Sequence, residues 1–149
     1  MLKMLKDILK VTQVLAPVAV SASTNTTGFD CADFGSVTFV VETGVESAGM
    51  DSASNKFDII IQHSDVDVDG SYAACGADDF LVGGGEAGEV PASGIAKALD
   101  ATTDTPGTYL VHYRGTKRYA RIRLAETGTA AAPMSVVAIG GHGHLNPAL

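Results

Sequence analysis

Tryptophan is missing from this chain of 149 residues, and aromatic residues make up only 6% of it. Paired carboxylates can cleave glycosidic bonds, but sugar rings are commonly held on aromatic faces, which are scarce here. Cysteine occurs twice, at Cys31 and Cys75. Two are too few for a disulfide framework, and a zinc site would lack soft ligands. A pair of half-buried thiols is expected, with a single disulfide left open. Charge is sparse at 18%, and 10 Lys and Arg stand against 17 Asp and Glu, for a net charge of −7. Neutralising phosphates takes clustered cations, so the balance argues against a general nucleic-acid binder. No run of about 20 apolar residues could span a bilayer as a helix, so no membrane partner is expected. There is no G-x-S-x-G and no cysteine in a nucleophile motif, and the many Asp residues fall where turns use them. The expectation is a non-enzymatic protein without a cofactor.

What is abundant is small. Glycine alone reaches 17, and Ala, Thr, Ser and Val fill much of the rest, a composition that suits short strands and turns. One domain is expected, long enough to bury a core. Ser36–Glu42 and Phe57–His63 read as strands, the second largely apolar and therefore central. Pro17–Ser23 reads as a first strand, and Pro133–Gly141 as a last one. Phe29–Phe34 reads as a turn or short helix, Tyr72–Ala74 as the start of a short strand, and Ile95–Leu99 as ambiguous. Six to eight short strands with Gly/Pro turns predict an all-β chain, an antiparallel β-sandwich or jelly roll over residues 17–149.

Residues 108–124 carry the clearest pattern. Tyr109, Val111 and Tyr113 share one face, and Leu110, His112 and Arg114 the other. Further on, Ala120, Ile122 and Leu124 oppose Tyr119, Arg121 and Arg123. Such period-two alternation marks half-buried strands. Gly115 suits a connection that needs positive φ, so a hairpin is expected. Arg114, Lys117, Arg118, Arg121 and Arg123 place half of the chain's ten cations here. They stand for either a subunit interface between complementary patches or a solvated, ion-paired face.

Residues 1–16 show helical spacing. Leu2, Leu5, Leu9 and Thr12 form one stripe, with Met1, Met4, Ile8, Val11 and Leu15 beside it and Lys3, Lys6, Asp7 and Lys10 around the rest. An amphipathic helical arm ending at Pro17 is expected. A signal peptide would use Val11–Val20 as its apolar run and cleave near Val20-Ser21-Ala22, but Pro17 interrupts that run. A membrane-surface helix would be short. An arm that docks on a neighbour, or on its own domain, fits best.

Three stretches resemble ligand sites. Asp65, Asp67 and Asp69, followed by Gly70, match the first half of a calcium loop, but Gly76 stands where a bidentate Glu is needed. The bland reading is a strand end closing in an Asp-Gly turn. His142 and His144 could share a face and hold a metal, with His63 or His112 helping, but no carboxylate or Cys lies in that segment. Gly83–Gly85 lacks the Lys-Ser/Thr of a phosphate loop and reads as a plain loop.

Tyr113-Arg-Gly-Thr-Lys-Arg-Tyr119-Ala-Arg-Ile-Arg resembles small virion proteins of tailed bacteriophages. So do the Ser-Val-Thr-Phe-Val-Val-Glu strand, Ile-Ile-Ile-Gln-His-Ser-Asp with Asp-Gly-Ser-Tyr after it, and the closing Pro-Met-Ser-Val-Val-Ala-Ile-Gly-Gly-His strand. The likeness covers about residues 34–145 and leaves the Lys-rich arm outside it. It implies a β-sandwich decoration or cement protein on the capsid surface, assembled in the host cytoplasm. Its partner would be the major capsid protein, and it would act as a homo-oligomer, a trimer by preference. Interface contacts are then expected from Leu2, Leu5, Ile8 and Leu9 on the arm and from the five cations of 114–123. Other readings are a tail or head–tail connector subunit, or an exported carbohydrate- or calcium-binding module.

Overall fold

The structure, a computed structural model, describes residues 9–143. Eleven strands and three single 3-10 turns account for its regular elements, and every strand pairing is antiparallel. No helix among the described residues is long and apolar enough to cross a membrane.

The first sheet is built from β1 (Leu9–Val20), β4 (Phe34–Thr43), β7 (Phe80–Val82), β9 (Gly107–Tyr113) and β11 (Ala132–Gly143), in the order β1-β11-β4-β9-β7. The second has β10 (Tyr119–Thr127) and β5 (Lys56–Ser64) at its centre. Along β10 run the short β2 (Thr24–Asn25) and β3 (Phe29–Asp30), and along β5 run β6 (Ala73–Ala74) and β8 (Ile95–Leu99).

Alternation decides which side chains meet. Val37, Phe39 and Val41 of β4 and Val136 and Ala138 of β11 are buried, and so are Ile59 and Ile61 of β5 and Ile122 and Leu124 of β10. All belong to one hydrophobic cluster, so the two sheets share a single core. β-branched and aromatic residues at every second position favour this pleated, half-buried geometry. The strands expected at 36–42, 57–63 and 133–141 are present, with β5 central.

Two expectations are corrected. Residues 9–16 are strand, not helix: β1 pairs with β11 from Leu9 opposite Gly141 to Val20 opposite Ala132. Val11, Thr12, Val14, Val18 and Val20 are β-branched, which a sheet accommodates better than a helix. Pro17 is tolerated because β1 is an edge strand and its register shifts between Leu15 and Val18. Leu2, Leu5 and Ile8 lie outside the described residues. Nor do residues 108–124 form a hairpin. β9 pairs with β4 and β7 in the first sheet, whereas β10 pairs with β2, β3 and β5 in the second. The connection at 114–118 is a corner that carries the chain from one sheet to the other.

Candidate functional site

The corner is held from below by Tyr113, the last residue of β9. Its buried hydroxyl accepts the Lys117 backbone N–H at 3.0 Å and sits 3.2 Å from His63 Nδ1. A Cβ on Gly115 would lie 2.6 Å from the Tyr113 ring. Glycine is required there because an aromatic ring packs under the turn, not because φ is positive. The Arg114 backbone N–H donates to Asp79 O at 2.9 Å, which ties the start of the turn to the segment before β7.

This geometry spreads the cations around an open pocket of about 400 Å³ lined by Phe34, Ser36, Tyr113, Arg114, Lys117 and Arg118. Most meet the chain's own polar groups. Arg114 Nε donates to Asp78 O at 2.8 Å. Lys117 pairs with Asp65. Arg118 grips Asp30, Nη2 to Oδ2 at 2.8 Å and Nε to Oδ1 at 3.2 Å, while its guanidinium lies over the Tyr119 ring. Lys10 of β1 joins this end of the molecule, above the Phe29 ring.

Arg121 differs from the rest. It is only 5% exposed, covered by the loop after β5. Its Nε donates to Gln62 Oε1 at 2.9 Å, Nη1 and Nη2 reach Asp69, and the Tyr72 ring lies 4.0 Å from the guanidinium carbon. Arg123 is half-buried and makes no ion pair among the described residues. The cationic band is thus partly an internal device, with Arg114 and Arg123 left without an ion pair among the described residues. Sequence reasoning missed the burial of Arg121. The one signal for it was the Asp-rich turn ending at Tyr72, an aromatic able to stack on a guanidinium.

The three Asp residues of the calcium-like turn are drawn to separate partners: Asp65 to Lys117, Asp67 to the Tyr72 hydroxyl at 2.7 Å, and Asp69 to Arg121 and Asn25. Ser64 and Ser71 close the turn through a 2.8 Å hydroxyl contact. His63 faces Tyr113 on the inner side of the first sheet. His112 lies on the outer side, bonded to Thr38 and Gly83, so the two imidazoles are not brought together. The side chains of His142 and His144 lie outside the described residues. Among the described residues, no three His, Cys, Asp or Glu side chains gather to hold a metal. Gly83 and Gly85 adopt positive φ in a tight turn after β7. Cys31 and Cys75 are free thiols. Burial pushes the Cys31 thiol up to about 12 and raises Cys75 as well, so neither is an activated nucleophile.

Arg118 holds the Asp30 carboxyl below its ordinary value of 3.8, chiefly by direct hydrogen bonding, and Arg121 lowers Asp69 in the same way. A depressed carboxylate adds stability above its unfolded pKa and loses it as the pH falls through the folded value. Both groups are largely solvated, so screening keeps each contribution small. The melting temperature is expected to hold steady from neutrality to about pH 5 and to fall below about pH 4. Arg118→Gln should shallow that acid-side fall. An acid limb equally steep in the variant would remove Asp30 from the account.

No family model, curated protein or solved structure matches this chain.

Proposed function

We propose that this chain is a non-enzymatic β-sandwich of the jelly-roll kind that decorates or cements the capsid of a tailed bacteriophage by binding its major capsid protein. Two antiparallel sheets around one core support the sandwich reading. The observation that carries the function is the corner, where Arg114, Lys117 and Arg118 line one side of an open pocket on a protein of net charge −7. Segregated charge of this kind steers and orients a partner more than it adds affinity. The corner's side chains are fixed by ion pairs and carbonyl contacts, an arrangement suited to adhesion and not to proton transfer. The resemblance of 113–123 to small virion proteins points the same way.

Lys117→Glu combined with Arg118→Glu tests the reading. Both side chains stand outside the core, so folding should survive. The amount of protein co-sedimenting with purified particles should fall by about tenfold, the effect of losing roughly 1.4 kcal/mol of binding. Native protein absent from particles, or a variant that loads to the native stoichiometry, would defeat the proposal.

A further inference from the structure

The outer face of the second sheet is charged and partly covered by the loop around Asp69. That of the first sheet carries no charge between Glu42 and Arg114, and the turn after β7 meets it only at its margin, where Gly83 O bonds His112. Strand register sets its side chains in rows across the sheet. One row runs Val11, Ile139, Thr38, His112, and the next runs Gln13, Val137, Val40, Leu110. Their chain neighbours Phe39, Val41, Val111, Val136 and Ala138 point into the core, so these residues point out. Val11 is 63% exposed and Leu110 37%.

Neither row contains Asp, Glu, Lys or Arg. Its one titratable group, His112, has both ring nitrogens occupied. Nε2 lies 2.9 Å from Gly83 O, which can only accept, and Nδ1 lies 2.9 Å from the Thr38 hydroxyl, which can donate. Five strands about 4.8 Å apart and six residues of about 3.4 Å give a face of roughly 400 Å². Burying it on both copies removes about 800 Å², the size of a weak, reversible contact and not of an obligate one.

The ends of the face say what covers it. Glu42, exposed, closes one end of the central strand β4, and Arg114, exposed, stands beyond the opposite end of β9. Rotating a second copy about a two-fold axis across the strands lays β4 on β4 with directions reversed. Glu42 of each copy then approaches Arg114 of the other. An isologous contact uses one patch twice, so a chain of net charge −7 avoids repulsion only through a patch that is neutral or self-complementary. This patch is neutral in the middle and complementary at its ends. We infer that the outer face of the first sheet pairs with a second copy of this chain, giving a two-fold dimer in place of the trimer that the family resemblance implies. The inference does not rest on the capsid reading.

Sedimentation equilibrium of the full chain tests it. An apparent mass rising with concentration toward twice the monomer mass of 15.2 kDa is expected, and Val40→Asp should hold it at the monomer value. Leu110→Lys, at the margin of the face, should do the same if Val40→Asp proves unstable. Glu42→Arg and Arg114→Glu should each weaken the dimer about tenfold, and the double exchange should restore it. A monomeric or trimeric native protein would overturn the inference, as would a dimer indifferent to both face variants or charge exchanges that fail to rescue one another. Native protein that dimerises but is absent from particles would count against the proposed function alone.

Discussion

Replacing Phe39 by Ala is expected to remove about 3–5 kcal/mol of folding stability, a large part of the ~5–15 kcal/mol a domain of this kind possesses. Phe39 is fully buried on β4, the middle strand of the first sheet. Its cross-strand neighbours are Ala138 on β11 and Val111 on β9. Neither is large enough to swing into the vacated space, and both are fixed by ladder pairing, so most of the cavity would persist. Phe39→Leu keeps much of the volume and should cost distinctly less. Urea unfolding followed by circular dichroism gives the comparison. A loss below about 1 kcal/mol for the Ala variant would mean that the two sheets do not depend on this side chain to stay in contact.

Arg121→Ala is expected to cost about 2–4 kcal/mol, unusually much for an arginine on the outward side of a strand. The buried Gln62 would lose its donor, Tyr72 its flat cationic partner, and the loop around Asp69 its tie to the sheet. Arg121→Lys retains the charge but neither the fork nor the stacking plane, so it should recover only part of the loss. Limited proteolysis supplies a second readout, since the exposed turn at 65–71 should become the preferred cleavage region. If that turn stayed as resistant as in the native protein while stability fell, Arg121 would act through packing alone.

The strands at 36–42, 57–63 and 133–141 were legible because each is long, rich in β-branched residues and bounded by turn formers. The inward set Ala120, Ile122 and Leu124 was legible for the same reason, and all three are fully buried. β1 was not. The apolar spacing of residues 1–8 imposes a helical period on the whole stretch, and nothing local to 9–16 reveals that β11 will be its partner. The hairpin at 108–124 failed for a related cause. Adjacent alternating segments normally pair, but here a turn packed on Tyr113 sends each to a different sheet. Burial of Arg121 depended on a loop whose path the sequence does not dictate. The uncharged outer face was half visible. Val40-Val41 and Val136–Ile139 are apolar at consecutive positions, which means apolar side chains on both faces of the strand.

The partnership of β1 with β11 shapes how the molecule comes into being. Because the two strands come from opposite ends of the described chain, β1 waits unpaired until β11 has been synthesised. Closing so large a loop before any ladder forms slows assembly, as it does in other all-β topologies dominated by distant contacts. During that wait, Val11 and Val18 lie on an open edge able to accept the wrong strand. The register shift and Pro17 interrupt that edge, and so act as protection for a chain still being made.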